Sequence, residues 1–493
     1  MNANFGIITL VHLLPPSCKG QAWWGRDTGR WEMRQLKNKV ASGLNWMALS
    51  PSQAAISVVL LRLAGVACQA LMIGLLANCL SVVEMGKFSA VYVFWGLVRM
   101  LGPMGLDQVA LREISFARAR GDDELAGGLT RYANLLTGGV NLGVAVLSAA
   151  ILFVLADWAY IELDPLEVLS IALAVPAFAL VSVLSSAVRS YDRNIASQGM
   201  ESIGLHLLTV VILLLHWWLA QLSLGAVLAW QTVTAWATAG AYAALLHHAV
   251  GGRVGPVSSD FARRLWREGL EVFQALVLIG LASRAPTYIC MSMFGPAATA
   301  ILEIAIRFGT LPAIFTTAVS TTFAPTMAAR YAKGDRAGLG DTLAVASWLS
   351  FVPSAFIMLG AIVLGSWLLG AFLPPIYQLS YVPLLLVVAS TTVNGAYGMS
   401  SIVLFATGYQ QVVRVYSVLQ LVTVVVAGYG LGYAFGVSGV AFAILLGFIM
   451  FDVGLALEVK PHLGVTGILR SDGLAQLLRS IRGQPLSTSA ISS

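Results

Sequence analysis

Four arginines stand inside stretches that are otherwise apolar: Arg62, Arg99, Arg284 and Arg307. A charge at bilayer depth costs on the order of 3 kcal/mol even on lenient insertion scales, so it faces protein or water and marks a working site. Acids at similar depth are Asp107, Glu303, Asp452 and, at the margin of its stretch, Glu201. Glu303 and Arg307 stand four apart, in the order that favours pairing along one helix face. Asp107 lies near the end of its stretch, where it caps the chain or pairs with Arg112; Asp452 is also near an end and reads as structural. Arg62 and Arg284 have no acid at helical spacing. Arg62, Gly65, Gln69 and Met72 share one helical stripe, and an apolar helix that gives a stripe to Arg and Gln lines something wet. A surplus of buried guanidinium groups calls for an anion, which their planar forks bind bidentately. The residues expected to face it are Arg62, Gln69, Arg99, Arg284 and Arg307, with Glu303 and Asp107 pairing them or coupling an ion.

Two of these arginines precede a helix breaker. Arg99 comes before Gly102-Pro103, and Arg307 before Pro312. The order Gly86, Arg99, Pro103, Gly121-Asp122 recurs as Gly295, Arg307, Pro312, Gly334-Asp335, or G-x12-R-x3-P-x17-GD against G-x11-R-x4-P-x21-GD. Proline removes a backbone hydrogen bond and bends the helix, and the freed groups need new partners. Such breaks at mid-membrane bring polar backbone to a transport site, so the bends should turn both arginines toward a common space.

The elements that position these groups follow from composition. Of 493 residues, 58% are hydrophobic and 11% charged, with a mean hydropathy of +0.81. A soluble chain carries about 25% charged residues. An all-α polytopic membrane protein is therefore expected, with about twelve spans between residues 54 and 457. The repeat divides them into two six-helix lobes, 51–250 and 268–460, joined by a cytoplasmic linker at 251–267. Each lobe has an even number of spans, so their pseudo-two-fold axis lies along the membrane normal. Tails at 1–50 and 461–493 complete the chain.

Lys and Arg fall almost wholly on one side, in the N-terminal tail and at Arg112–Arg131, Arg189–Arg193, Arg253–Arg267, Arg330–Arg336 and Lys460–Arg482. The other side receives Lys87 and the acids Asp157, Glu162, Asp164 and Glu167. This positive-inside bias places both termini in the cytoplasm. The pI of 9.2 thus reflects topology and anionic lipid contact, with no nucleic acid implied. Trp158, Trp217-Trp218 and Trp367 mark the outer interface. The first fifty residues lack a signal-peptide cleavage site; their Trp, Arg and Lys suit an interfacial segment. Leu474, Leu477, Leu478 and Ile481 repeat at helical spacing beside Arg479 and Arg482, as in an amphipathic helix on the cytoplasmic leaflet.

Chemistry by bond-making is not encoded in any pattern found. Cys18, Cys68, Cys79 and Cys290 form no CxxC pair, His247-His248 read as interfacial, and there is no HExxH, phosphate loop, kinase or hydrolase signature. No catalytic residue, metal site or cofactor is expected.

Three stretches carry a resemblance: "LANCLSVVEMGKFSAVYVFWGLVRMLGPMGLDQVALREISFARARGD", "EIAIRFGTLPAIFTTAVSTTFAPTMAARYAKGD" and "ATGYQQVVRVYSVLQLVTVVVAGYGLGYAFGVSGVAFAI". Together, over about residues 45–460, the chain resembles bacterial polysaccharide biosynthesis proteins. These are the oligosaccharide flippases of the multidrug/oligosaccharidyl-lipid/polysaccharide exporter superfamily. The resemblance implies two lobes around a central cavity and alternating access. It implies outward movement of a polyprenyl-diphosphate-linked oligosaccharide, an O-antigen or exopolysaccharide repeat unit, across the bacterial inner membrane. Membrane lipids, a polysaccharide polymerase and export machinery are the partners it implies.

A cation-coupled multidrug or small-solute antiporter of the same superfamily would hold a deep carboxylate in the first or seventh span. Here Glu268 and Glu271 lie only at the seventh span's entrance. A major facilitator carrier would show its loop signature after the second span, which is absent. A membrane glycan polymerase or ligase needs a large outer loop, and the longest outer loop, around 157–164, is about eight residues.

Topology is directly measurable. With the native cysteines replaced, a single cysteine at Arg120 should react only with reagents admitted to the cytoplasm. One at Asp157 should react from outside, and periplasmic labelling at 120 would dismantle the two-lobe scheme.

Overall fold

The computed structural model describes residues 51–155, 163–219, 222–469 and 473. The interfacial tail at 1–50, Trp158, most of the acidic outer loop and the amphipathic helix after 473 lie outside these residues. All regular structure among the described residues is helical.

The first helices are α1 (Pro51–Cys79), α2 (Val82–Leu101), α3 (Leu106–Ala119), α4 (Asp123–Leu155) and α5 (Pro165–Ser190). Short α6 (Asn194–Gly199) runs through a π-helical turn, Met200–Gly204, into α7 (Leu205–Leu219), and α8 (Leu224–Val250) follows. Then come α9 (Ser259–Gly309), α10 (Ala313–Ala332) and α11 (Arg336–Phe372). Last are α12 (Tyr381–Tyr397), α13 (Met399–Ala406), α14 (Gln410–Phe448), a π turn at Ile449–Val453 and α15 (Gly454–Leu463).

Among the described residues, nine helices are long and apolar enough to cross a membrane. The difference from about twelve spans has identifiable causes. The 51-residue α9 leaves helical geometry at Gly295 (φ 78°, ψ −172°), and α14 does so at Gly436 (φ 62°, ψ −143°). Both conformations are open to glycine and strained for other residues. Each long run is two helices end to end. The 27-residue α8 has spanning length but is too polar to count, with Gln231, Thr234 and Thr238 turned inward.

Local chemistry sets the ends. Ser81 and Glu84 form a capping box at the start of α2: Ser81 Oγ accepts from Glu84 N (3.2 Å) and Glu84 Oε2 from Ser81 N (3.0 Å). The helix stops at Leu101. Residues 102–105 form a turn with left-handed Met104 (φ 51°) and Gly105 (φ 74°). Asn141 Nδ2 donates to the freed Gly102 carbonyl at 2.7 Å, the replacement partner such a break requires. A second turn, around Pro312, separates α9 from α10.

The Gly-Asp repeats fold alike. Gly121 (φ 76°) ends α3, Asp122 N donates to Ala117 O (3.0 Å), and Asp122 Oδ1 accepts from Leu125 N (2.9 Å). Gly334 (φ 74°) ends α10, Asp335 N donates to Arg330 O (3.0 Å), and Asp335 Oδ1 accepts from Gly338 N (2.8 Å). Each corner closes one helix with a left-handed glycine and caps the next with an aspartate.

Helix α2 and the turn after it approach α9 closely at two glycines. A methyl added at Gly86 would lie 1.8 Å from the Pro296 carbonyl oxygen, and one at Gly105, in the turn, would lie 2.3 Å from the Gly269 oxygen. Between these points Gly280 admits Leu97 and Met100. On the other side of α2, fully buried Trp95 stacks on Phe178 (5.3 Å between centroids) and donates through Nε1 to Ile171 O at 3.2 Å. Asp452 is fully buried in the second π turn, where its oxygens accept from Asn394 Nδ2 at 3.2 and 3.1 Å.

Overpacking a tight interface typically costs about 1–3 kcal/mol. Gly86→Ala should therefore lower the thermal unfolding midpoint of the detergent-solubilised protein by several degrees. An unchanged midpoint would mean the α2–α9 approach has slack.

Candidate substrate cavity

A cavity of about 630 Å³ opens between α1, α2, the start of α3, α5, the first π turn, α7, α9 and α10. Arg62, Gln69, Arg99, Arg284 and Arg307 all line it, as does Asp107. Residues spread over 245 positions of sequence thus share one wall system, because α2 lies against α9.

Their partners differ. Arg62 donates through Nε to Gln198 Oε1 (2.9 Å), and neither terminal nitrogen has an acceptor among the described residues. Gln69 Nε2 donates to Tyr92 OH at 3.1 Å. The stripe leaves the cavity after that point: Met72 is fully buried, and its sulfur accepts from Gln231. Arg284 lies against α2 at Gly96, where an added methyl would be 3.3 Å from a terminal nitrogen. No described residue gives Arg284 a hydrogen bond or salt bridge. Arg307 pairs with Glu303 (3.2 Å), as helical spacing predicts, and its guanidinium sits 4.7 Å from the Tyr92 ring centroid. Glu303 is 2% exposed and also accepts from Thr287 Oγ1, so it stands behind Arg307.

One expectation needs correction. Asp107 does not pair with Arg112. Its Oδ2 accepts from Gln108 Nε2 (2.9 Å), and its buried Oδ1 has no partner among the described residues. Five residues along a helix is about 140° around it, so Arg112 faces α9 instead and pairs with Glu113 (3.0 Å) and Glu268. Arg264 joins the same exposed cluster through Glu113 and Glu268. Arg99 lines the cavity and also meets an acid: its Nη2 lies 2.6 Å from Glu201 Oε1.

Glu201 is the group the sequence understated. On the π turn Met200–Gly204, it also accepts from Ser185 Oγ (2.9 Å) and Gln198 Nε2 (3.2 Å), with Arg189 Nη1 at 3.9 Å. Gln198 stands three residues before it, but Arg99, Ser185 and Arg189 are distant in sequence, so helical spacing carries no sign of them. The signal was the polar run Ser197, Gln198, Glu201, Ser202, His206 ahead of an apolar helix. Tyr92 and His206 also line the cavity.

The walls thus set four guanidinium groups against the carboxylates of Asp107, Glu201 and Glu303. The balance is cationic, with Arg284 and the ends of Arg62 uncommitted. An anion with several oxygens is the ligand this arrangement can hold. No group of three His, Cys, Asp or Glu able to hold a metal occurs among the described residues.

Residues 53–330 match the family described as polysaccharide biosynthesis protein. No curated protein matches the chain in sequence. Solved structures share the fold at low identity. An inward-facing multidrug resistance MATE family transporter of the MOP superfamily superposes with a TM-score of 0.71 at 12% identity, over 82% of this chain and 98% of the other. The lipid II flippase MurJ in its inward closed conformation gives 0.68 at 14%, over 87% and 90%. A MOP superfamily transporter from Pyrococcus furiosus, described by the reverse polarity of its binding pocket, gives 0.60 at 14%, over 84% and 96%. The fold is that of MATE and MurJ transporters, and the family match spans more than half of a multi-pass membrane chain. This protein belongs to the polysaccharide biosynthesis protein family.

Proposed function

We propose that the protein is a flippase that moves a polyprenyl-diphosphate-linked oligosaccharide, an O-antigen or exopolysaccharide repeat unit, outward across the bacterial inner membrane. The observation that carries this reading is the cavity's cationic balance, with Arg284 and the terminal nitrogens of Arg62 lacking acceptors among the described residues. A diphosphate supplies the charge and the oxygens these groups lack. A volume near 630 Å³ is within the range of drug-sized ligand sites, which suits a headgroup with its first sugars. Membership in the family and the MurJ-like fold support lipid-linked cargo.

Counting α9 and the α14–α15 run as two spans each, and adding α8, brings the nine to twelve, and we read these as two six-helix lobes, 51–250 and 268–460, with both termini cytoplasmic. The matching Gly-Asp corners support that repeat. The lobes rock about a central site to expose it to each side in turn. Membrane lipids are direct partners, and the polymerase and export machinery receive the product. A cation-coupled antiporter is the second reading, favoured by the unpartnered Oδ1 of Asp107 on the cavity wall.

Arg284→Ala removes a cavity charge that makes no hydrogen bond or salt bridge among the described residues. It should abolish glycan export in a complementation assay while leaving abundance and thermal stability unchanged. Full complementation would remove Arg284 from the site. Arg307 separates strut from ligand group. Breaking a buried pair costs about 3–5 kcal/mol, so Arg307→Ala should lower the unfolding midpoint. The exchanged pair, Glu303→Arg with Arg307→Glu, should regain stability yet stop export, since a carboxylate then faces the diphosphate; export by the exchanged pair would make Arg307 a strut only.

A further inference from the structure

The two acids that neutralise cavity arginines are built differently. Glu303 has a side chain 3% exposed, locked behind Arg307 one turn away on its own helix. The Glu201 side chain is 27% exposed, reaches the cavity, and collects donors from three separate elements. Arg99 comes from α2, Ser185 and Arg189 from α5, and Gln198 from α6. Gln198 is shared, since its Oε1 accepts from Arg62 while its Nε2 donates to Glu201. So many donors converging on one reachable carboxylate form an anion cradle, filled here by the protein's own anion.

The backbone under Glu201 is also unusual. A π turn carries one extra residue, and such turns concentrate at functional sites. Absorbing that residue into α-helix rotates the side chain by about 100° about the helix axis. The carboxylate can therefore leave the cradle without unfolding α6 or α7. Helix α1 rests directly on this turn: a methyl at Gly65, three residues from Arg62, would lie 2.5 Å from Ser202 O. Movement of the turn is thus felt by α1.

We propose that Glu201 is the cavity's resident counter-anion. It occupies the cradle of Arg99 and, through Gln198, Arg62 when no cargo is bound, yields these groups to an incoming phosphate, and retakes them to drive release. The inference rests on reading the cavity as a diphosphate site. A diphosphate outbids one carboxylate because it brings more charge and more acceptor oxygens to the same forks. Glu201 sets how tightly that cargo is held, by competing with it.

The test uses the purified full-length protein and inorganic pyrophosphate as probe, with binding followed by calorimetry and folding by thermal unfolding. Glu201→Gln keeps the shape, removes the competing charge and should bind pyrophosphate about tenfold more tightly, with slower dissociation. Adding Arg99→Gln should cancel that gain, because Arg99 is the group released. Glu201→Asp draws the charge back by one methylene and should shift affinity the same way by less. Were Glu201 only a brace for the arginines, Glu201→Gln would bind more weakly or unchanged, and that result overturns the inference. Failure of both Glu201 variants to fold would assign the residue to the frame and overturn it equally. Wild-type protein that ignores pyrophosphate, with Arg284→Ala indistinguishable from it, sinks the diphosphate reading itself. Wild-type binding weakened by Arg284→Ala, but not strengthened by Glu201→Gln, sinks only the role of Glu201.

Discussion

A guanidinium group has nowhere to shed its charge in hydrocarbon, and this chain places four of them inside apolar helices. That constraint organises the molecule. Each charge must meet a carboxylate, an amide, a ring or water, and the helices arrange themselves so that all four reach one aqueous space. Arg307 is met by Glu303 and Tyr92, Arg99 by Glu201, and Arg62 by Gln198. Arg284 lies against Gly96 on the cavity wall and has no hydrogen bond or salt bridge among the described residues.

Much of this was legible in sequence, for reasons that can be named. Apolar runs of spanning length and the one-sided distribution of Lys and Arg report on the bilayer, and a bilayer acts on each segment separately. The breaks at Gly102-Pro103 and Pro312 were legible because proline acts locally. So was the Glu303–Arg307 pair, since one helix turn determines it. The expectation of a shared cavity wall drew on the Arg62–Gln69 stripe, the paired proline breaks and the lack of an acid at helical spacing from Arg284: polar residues on apolar helices have few places to go.

What escaped the sequence depends on neighbours far along the chain. Glu201 and Arg99 are 102 positions apart, and the packing of α5 against α2, with α6 against α5, makes them a pair. The π turn that presents Glu201 differs from α-helix by one inserted residue and has no composition of its own. Asp107 illustrates the opposite failure. A plausible partner lay five residues away, yet helical geometry sent Arg112 toward α9 and its acids. Local proximity in sequence was the wrong measure there.

The seam between α2 and α9 has a mechanical meaning. Backbone meets backbone at Gly86 and Pro296 near one end and at Gly105 and Gly269 near the other. A larger residue at either glycine would wedge the helices apart, while between the two contacts Leu97 and Met100 fill the space at Gly280 and Arg284 the space at Gly96. The break of α9 at Gly295 falls between its two contact points, since Gly269 belongs to its first half and Pro296 to its second. The stretch from Gly86 to Gly105 therefore lies across that break like a splint, touching the helix on both sides of it.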